Sequence, residues 1–174
     1  GMEYPYQAVL NGEWTFELFE EMAMQASANL NGSEELVAEE GDQMGYITAQ
    51  YRGPLTVIYS GGSSLVHNDG SSLSLSVYTE RHISIFERFF ELTDRSNCKI
   101  YTQYSIAGLH QTFATGNILF MDTRLYDISY LQDNGMTDYA ILPWPKFDGQ
   151  VDAYYAWCDA VGNCFGVPNN LGEE

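Results

Sequence analysis

The residues of this chain that could do chemistry on a small molecule are polar and aromatic side chains in its last third. Six of them are candidates for ligand contact: Asp122, Arg124, Trp144, Tyr154, Tyr155 and Trp157. Small-molecule sites combine aromatic surfaces with a few placed polar groups in a concavity. Tyr and Trp rings offer an apolar face and a polar handle, which suits an amphipathic ligand. The sequence therefore predicts a ligand-binding site formed by these six residues.

A short apolar strand precedes two of the candidates. Residues 118–121 form an apolar run after the turn signal Gly116-Asn117, which predicts a buried strand. Asp122 and Arg124 follow it directly, at the end of the strand where open α/β sheets bind ligands. The apolar spacing that comes next predicts a helix over residues 123–133.

A second apolar run, residues 139–142, predicts another strand. Pro143-Trp144-Pro145 ends it, because proline cannot continue a central strand. A strand, a helix and a strand at this spacing form a βαβ unit, so we expect strands 118–121 and 139–142 to be parallel members of one sheet. Trp144 would then lie at the same sheet edge as Asp122.

Each candidate also has a purely structural interpretation. Asp122 is placed to cap the following helix, and Arg124 to lie on its solvated face. Trp144, between two prolines, would simply pack on its own loop. The segment 153–167 predicts two β stretches, in which its aromatic residues would alternate between core and surface. The sequence leaves these alternatives open.

No catalytic motif is visible. The three histidines, His67, His82 and His110, lie far apart, and none belongs to an HExxH pattern. A GxSxG motif is absent, and no cysteine has a recognisable histidine partner. Carboxylates are so abundant that a glycosidase-like pair is compatible with the sequence without being indicated by it. We therefore expect a binding protein that uses no cofactor and no metal, rather than an enzyme.

The composition argues against several classes of partner. The chain has 174 residues, which suit a single domain over 1–174, and 7 Lys and Arg against 24 Asp and Glu give a net charge of −17. Nucleic acids and anionic membrane surfaces both require basic residues, so neither is an expected partner. Such acidity is typical of a secreted or exposed protein.

The three cysteines form no metal-binding pattern. Cys98, Cys158 and Cys164 include no CxxC pair, so a zinc site is not indicated. Cys158 and Cys164 flank a predicted hairpin turn. A disulfide across that turn is geometrically allowed, although two buried thiols are the default.

The rest of the chain alternates helical and extended segments. Four further amphipathic stretches predict helices: residues 14–29, 52–60, 79–93 and 105–115. Three stretches predict strands: residues 45–48 and the two arms of a hairpin, 65–67 and 73–76. Thr15 and Thr79 are predicted N-caps, and residues 97–102 a loop. Trp14 belongs either to the core or to a pocket rim.

The acidic segment 29–42 contains fragments of a calcium-binding loop. With Asn29 at position 1, Ser33 falls at position 5 and Glu40 at position 12, but two carboxylates at the front are missing. We expect a solvated loop here rather than a metal site.

Several segments resemble the extracellular solute-binding proteins (family 1) of ABC importers. After a glycine-led apolar strand and a helix, that family carries a pattern of roughly G-ILP-PK-D--Q--Y. The matching residues are Ile141, Leu142, Pro143, Pro145, Lys146, Asp148, Gln150 and Tyr154. The usual glycine before the isoleucine is Ala140 here. Residues 11–15 (NGEWT) are similar to the family's G-WT-DE helix start, and residues 29–32 resemble its D-NGDG loop. Val167-Pro168 lies where the family chain returns toward its other lobe.

The resemblance implies a periplasmic-binding-protein-like lobe: an α/β domain with a mixed sheet, a βαβ unit, about five helices and a small β-hairpin. Proteins of this family are extracellular lipoproteins whose two lobes close on a solute, here expected to be a carbohydrate, and deliver it to a membrane permease. This chain resembles the second lobe alone, acting as a monomer. We expect the first lobe and the secretion signal to lie outside it. Gly1-Met2 looks like a cloning scar.

Two other functions are compatible with the sequence. A fragment of a glycoside-processing enzyme would bring two carboxylates together in a cleft, with one raised pKa. A freestanding carbohydrate-binding or adhesion module would bind its ligand without a second lobe.

Overall fold

A computed structural model describes residues 4–94, 98–101 and 106–157. These ranges contain six α-helices: α1 (Tyr6–Asn11), α2 (Phe16–Ala26), α3 (Arg52–Ser60), α4 (Glu80–Thr93), α5 (Ile106–Phe113) and α6 (Ser129–Asp133). They contain five strands: β1 (Met44–Ala49), β2 (Val66–Asn68), β3 (Leu73–Leu75), β4 (Cys98–Tyr101) and β5 (Ile118–Met121). Two short 3₁₀-helices are also present, Ala38–Glu40 and Leu125–Ile128. The predicted mixed α/β class is confirmed.

Three strands form a parallel sheet with β1 in its centre. The order is β4-β1-β5, and Tyr46 of β1 lies opposite Cys98 on one side and Phe120 on the other. β2 and β3 form a separate antiparallel hairpin. The turn sequence Asn68-Asp69-Gly70 predicts that hairpin.

Local signals start the longer helices where the sequence predicts. The Thr15 hydroxyl accepts a hydrogen bond from the Leu18 backbone N–H at 3.4 Å, and the Thr79 hydroxyl accepts one from His82 N–H at 3.1 Å. Each bond satisfies a donor that the first helical turn leaves free. α3 has the predicted bounds.

Two cores lie on opposite faces of the parallel sheet. Tyr46 belongs to the first core and Ile47 to the second, and successive side chains of a strand point to opposite faces. The first core combines α2, α3 and α4 through residues that include Phe19, Ile58 and Phe89. The second combines the sheet with α5 and α6 through residues that include Leu109, Phe113 and Leu131. The sheet is therefore covered by helices on both faces.

The backbones of α2 and β1 approach each other at Gly45. A Cβ atom at this position would lie 2.2 Å from the Ala23 carbonyl oxygen and 2.5 Å from its carbonyl carbon. Because both atoms belong to a helix backbone, no side-chain rotation could relieve the overlap. Only glycine allows this contact between the helix and the central strand.

Gly45→Ala is therefore expected to lower the free energy of unfolding by about 2 kcal/mol, the usual cost of overpacking a core. Urea unfolding followed by circular dichroism measures the loss. Gly149→Ala is the matched control, because no atom lies within 4 Å of a Cβ built there. Equal stabilities of the two variants would contradict the close approach of α2 and β1.

Two distant segments that carry the family resemblance contact each other. The Trp14 indole Nε1 donates to the Pro143 carbonyl at 2.9 Å, and Lys146 N–H donates to the Trp14 carbonyl at 3.1 Å. Thr15 and Lys146 form a parallel β-bridge. Trp14 is 1% exposed, so it is a core residue rather than a pocket rim. Residues 11–15 and 143–146 thus form one structural unit.

The predicted strand 139–142 is wrong. These residues form no strand; Tyr139 packs against the second core and Leu142 against the first. The predicted βαβ unit of strands 118–121 and 139–142 is consequently wrong, and the parallel partner of β5 is β1. The helix predicted over 123–133 is divided into the 3₁₀-helix Leu125–Ile128 and α6.

The loop predicted over residues 97–102 is also wrong, because β4 occupies 98–101 and pairs with β1. Residues 153–157 form no strand, in contrast to the β stretches predicted over 153–167. The rest of that segment, with Cys158, Cys164 and Val167-Pro168, lies outside the described residues.

The acidic segment 29–42 is organised by one buried carboxylate. Asp42 accepts hydrogen bonds from the backbone N–H groups of Leu30 at 2.7 Å, Asn31 at 3.0 Å and Val37 at 2.9 Å. These donors, that of Val37 above all, hold the pKa of the Asp42 carboxyl below its usual range. Asp42 therefore closes the loop through backbone hydrogen bonds.

Candidate functional site

The carboxyl ends of β1 and β5 meet at one edge of the sheet, because the two strands are parallel neighbours. The chain leaves β1 toward β4 and then returns past β1 to reach β5, so the direction of the connections reverses at β1. Open α/β sheets bind ligands outside the carboxyl ends of strands at such a reversal. The residues that follow the two strands, 50–52 and 122–124, form this edge.

Asp122 is buried at this edge without a hydrogen-bond partner. Its exposed fraction is 6%, and neither carboxyl oxygen makes a hydrogen bond of normal geometry. The 3₁₀-helix that follows has no side-chain cap. The interpretation of Asp122 as a helix cap is therefore not realised, and its burial requires another explanation.

Three other buried polar side chains surround Asp122, and with it they form what we term the Asp122 cluster: Tyr46, Thr48, Arg52 and Asp122. The Tyr46 hydroxyl and two nitrogens of Arg52, Nε and Nη1, also lack hydrogen-bond partners. A buried polar group without a partner costs about 1–3 kcal/mol. Such groups in a native protein commonly mark a place for water, an ion or a ligand. The cluster is thus the strongest ligand-site signal among the described residues.

Burial dominates the acid–base properties of the cluster. It raises the pKa of Asp122 to about 6, although Thr48, Arg52 and Tyr46 each favour the carboxylate form. The pKa of the Tyr46 hydroxyl is raised well above its usual value, first by burial and then by the charge of Asp122. The same two causes raise the pKa of the Cys98 thiol to about 12. Tyr46 and Cys98 therefore stay neutral where Asp122 titrates.

A second carboxylate, Asp127, lies beyond Arg52 and is 1% exposed. Arg124 donates to both of its oxygens, from Nε at 2.8 Å and from Nη2 at 3.1 Å. The Arg52 Nη2 lies farther away, 3.6 Å from Asp127 Oδ2. Arg124 is therefore a partner of a buried carboxylate rather than a purely solvated helix residue.

Aromatic and apolar side chains are exposed on the two segments that follow β1 and β5. Tyr51 is 39% exposed, and its hydroxyl accepts a long hydrogen bond from Arg52 Nη2 at 3.5 Å. Leu125 and Tyr126, just after β5, are 73% and 82% exposed. Apolar surface next to buried, unpartnered polar atoms is the combination that small-molecule sites use.

The remaining candidates lie in different surroundings. Trp144 packs against Phe19 and Tyr46, with ring centroids 5.6 and 5.9 Å apart. Its buried indole N–H has no hydrogen-bond partner among the described residues. Trp144 thus adjoins the Asp122 cluster through the ring of Tyr46.

Tyr154 lies where the segment after Lys146 contacts residues 9–14. Its hydroxyl donates to the Val9 carbonyl at 3.2 Å and is 3.3 Å from the Trp14 backbone N–H. The Lys146 Nζ lies 5.5 Å from the centre of its ring. These contacts favour a packing role for Tyr154.

Tyr155 and Trp157 are near the end of the described chain. The Tyr155 hydroxyl donates to Asp152 Oδ1 at 3.0 Å, and Trp157 is half-buried. No hydrogen bond that the structure gives for Tyr155 reaches Asp122 or Arg124. Of the six predicted residues, the structure therefore places Asp122 and Arg124 at the same sheet edge. Trp144 contacts the Asp122 cluster only through the ring of Tyr46.

The motif residue Asp148 holds two parts of the first core together. It forms an ion pair with Arg81 of α4, which also donates to the Gly61 carbonyl at 3.1 Å. The Arg81 guanidinium holds the pKa of the Asp148 carboxyl below its usual range. Asp148 accordingly anchors the segment after Lys146 to α4.

Sequence reasoning missed Tyr46, Thr48, Arg52 and Asp127. A strand at 45–48 and a helix at 52–60 are both predicted, so Thr48 and Arg52 already stand at a strand's carboxyl end and a helix start. What the sequence lacked was the position of β1 beside β5, because 76 positions separate Tyr46 from Asp122. If the pairing of β1 with β5 is known, these residues follow from the rule that open α/β sheets bind ligands at the carboxyl ends of their strands.

The two histidines that the structure buries are both hydrogen-bonded. His82 Nε2 lies 2.6 Å from the Ser63 hydroxyl, and His110 Nε2 lies 2.8 Å from the Thr123 hydroxyl. In each ring Nδ1 contacts a backbone carbonyl. Over the part of the chain that the structure describes, no three His, Cys, Asp or Glu side chains are grouped to hold a metal ion.

Within the described ranges, no helix combines the length and apolar composition that crossing a membrane requires. Comparison with known proteins identifies no relative: no family model, no curated protein and no solved structure matches this chain.

Proposed function

We propose that this chain is the second, ligand-capturing lobe of an extracellular solute-binding lipoprotein that delivers a small solute to an ABC import permease. A carbohydrate is the expected class of solute. The proposal starts from the resemblance of residues 11–15 and 141–154 to that family. The contacts of Trp14 with Pro143 and Lys146 support it, because they join these two segments in one unit.

The observation that carries the proposal is the Asp122 cluster at the carboxyl ends of β1 and β5. Among the described residues, its buried carboxyl oxygens and two of its three guanidinium nitrogens have no hydrogen-bond partner, and the Tyr51 ring is partly exposed next to Arg52. A sugar hydroxyl can donate to Asp122 and accept from Arg52, while its apolar ring face stacks on Tyr51 or Tyr126. The first lobe would close over this edge from the opposite side and complete the enclosure.

We propose capture without bond breaking. Glycoside hydrolysis requires two carboxyl groups that face the scissile bond. In the described part of the site, Asp122 is unpaired, whereas Arg124 occupies both oxygens of Asp127. One available carboxyl group is sufficient for binding but not for that chemistry. The proposed protein acts as a monomer and uses neither a cofactor nor a metal.

A half-site is expected to bind weakly. If an intact two-lobe protein binds at about 1 μM, its binding free energy is about −8 kcal/mol, and half of that corresponds to a dissociation constant near 1 mM. We expect isothermal titration calorimetry of this chain with a panel of neutral mono- and disaccharides to show no dissociation constant below about 100 μM. NMR shift changes at millimolar sugar should map to Tyr51, Arg124 and Trp144.

The control for this experiment is Tyr126→Ala compared with Tyr78→Ala. Both tyrosines are exposed, at 82% and 93%, but only Tyr126 belongs to the segment that follows β5 and contains Asp122. Tyr126→Ala should reduce the sugar-induced shifts, and Tyr78→Ala should leave them unchanged. Low-micromolar binding by this chain alone would favour the freestanding module. Sugar cleavage would favour the enzyme fragment.

A further inference from the structure

Arg52 lies between two buried carboxyl groups and fully satisfies neither. We propose that Arg52 is a two-position switch: it pairs with Asp127 while Asp122 is protonated and turns to Asp122 when that group ionises, so that the ligand-binding edge responds to pH. The effect of the switch on ligand binding rests on the proposed function. The switch itself is a property of the described residues and is testable without a ligand.

The first support is the incomplete pairing of Arg52. The guanidinium uses Nη2 for a long contact of 3.6 Å to Asp127 and for the Tyr51 hydroxyl at 3.5 Å. Its Nε and Nη1 are buried and have no acceptor. Both oxygens of Asp122, a neighbour in the same cluster, are buried and make no hydrogen bond of normal geometry with the described residues, although Thr48 and Tyr46 lie close enough to favour its carboxylate form. Complementary groups thus lie in one cluster without a hydrogen bond of normal geometry between them.

The second support is that Asp127 does not depend on Arg52. Arg124 binds Asp127 through two hydrogen bonds of 2.8 and 3.1 Å. A buried charge without a partner is strongly destabilising. If Arg52 turns away from Asp127, Asp127 still has its two hydrogen bonds from Arg124. If Asp122 ionises, Arg52 is the buried cation that can pair with it. Both arrangements therefore leave Asp127, and Asp122 once it ionises, with a counter-charge.

Among the titratable groups of the cluster, Asp122 is the one whose ionisation would drive the switch. Several titratable or charged groups lie around it. They are Tyr46 on β1, Cys98 on β4 and Arg52 on α3, with Asp127 behind Arg52 and His110 of α5 bonded to the adjacent Thr123. Burial raises the pKa of Asp122 to about 6, whereas the raised pKa values of Tyr46 and Cys98 keep both neutral at that pH. Arginine stays charged throughout.

Tyr51 connects the switch to the ligand-binding edge. Arg52 Nη2 donates to its hydroxyl, and the guanidinium carbon lies 5.9 Å from the centre of its ring. Rotation of Arg52 toward Asp122 removes this contact and also occupies the carboxyl oxygens that a ligand hydroxyl would use. The ligand-binding edge therefore changes both the contacts of Tyr51 with Arg52 and the accessibility of the Asp122 oxygens across the transition.

NMR spectroscopy of the full chain tests the switch. With ¹³C-labelled aspartate, ¹⁵N-labelled arginine and ring-labelled tyrosine, spectra are recorded from pH 4.5 to 8. We expect the Asp122 carboxyl carbon to titrate near pH 6 rather than near the ordinary value of about 3.9. The Arg52 Nε and Tyr51 ring signals should shift with the same midpoint. Asp122→Asn should abolish that midpoint at both reporters, and Asp138→Asn, which removes an exposed carboxylate, should preserve it.

Three results would overturn the switch. One is an Asp122 midpoint at or below about pH 4.5, close to an ordinary carboxyl group. Another is an Asp122 that titrates near pH 6 while Arg52 and Tyr51 stay unchanged. The third is a midpoint at Arg52 that survives in Asp122→Asn, which would assign the titration to a different group. The wild-type titration decides the first two even if a variant fails to fold. The pH titration contains no sugar, so a negative result rejects the switch and not the proposed function. In the same way, absence of sugar binding would reject the proposed function and not the switch.

Discussion

Replacing Trp14 with alanine is expected to destabilise the protein by about 4 kcal/mol, within the range for removal of a fully buried large aromatic side chain. Trp14 is 1% exposed and packs against Phe19 and Phe120, with ring centroids 6.2 and 5.7 Å away. Its indole N–H also satisfies the Pro143 carbonyl at 2.9 Å. The variant therefore loses core packing and detaches the segment that contains Pro143. Urea unfolding followed by circular dichroism measures the change.

Trp14→Phe separates the two contributions. It keeps an aromatic ring but leaves the Pro143 carbonyl without its donor, so we expect a smaller loss of about 1–2 kcal/mol from the missing hydrogen bond. Tyr126→Ala, at a position 82% exposed, should change the unfolding free energy by less than about 0.5 kcal/mol. A loss below about 1 kcal/mol for Trp14→Ala would show that Trp14 is not a central core residue.

Replacing Asp122 with asparagine is expected to stabilise the protein relative to wild type as the pH rises. The folded-state pKa of about 6 lies above the ordinary value of about 3.9, so the folded protein holds this proton more tightly than the unfolded chain. Ionisation of Asp122 therefore costs stability between about pH 4 and pH 6.5, and the full cost above that window is about 3 kcal/mol. Asparagine has a similar shape and does not ionise.

The measurement is the difference in unfolding free energy between Asp122→Asn and wild type at pH 4.5 and pH 7.5. We expect this difference to move in favour of the variant by about 2 kcal/mol over that interval, because part of the cost is already present at pH 4.5. Asp138→Asn removes an exposed carboxylate and should show a change below about 0.5 kcal/mol. A difference that stays constant with pH, or moves the other way, would contradict the raised pKa of Asp122.

Such a cost has a direct bearing on the proposed function. The fold retains a buried carboxyl group that costs stability as the pH rises, and in the proposed switch its oxygens are accessible to a ligand hydroxyl below the transition, before Arg52 occupies them. Binding sites commonly retain polar groups that the fold alone would not favour. The same residue therefore links the stability measurement to the proposed pH switch and to the proposed contact with a sugar hydroxyl.

Local chemistry accounts for the elements that the sequence predicted well. The hydroxyls of Thr15 and Thr79 begin α2 and α4, and the Asn68-Asp69-Gly70 turn forms the hairpin of β2 and β3. α3 begins at Arg52 as predicted. Each of these signals acts within a few residues, through a cap, a turn or the spacing of an apolar face, so one stretch of sequence is sufficient.

Strand pairing was not decided locally. Residues 139–142 are more apolar than residues 98–101, yet the latter form β4 because β1 offers them a parallel partner. The apolar side chains of 139–142 are instead divided between the two cores. Strand propensity describes how well a residue fits a pleated, half-buried surface, and it does not show which segment reaches the sheet.

The candidate site shows the same division. The sequence by itself determined that Asp122 follows a strand, that Arg124 is nearby and that Arg52 begins a helix. Only the tertiary structure decided that β1 lies beside β5, which buries Asp122 among Tyr46, Thr48 and Arg52 and raises its pKa. It also decided that Tyr154 packs on Trp14 instead of joining that edge. The physical reason is that desolvation and the pairing of charges depend on groups that meet only when distant segments fold together.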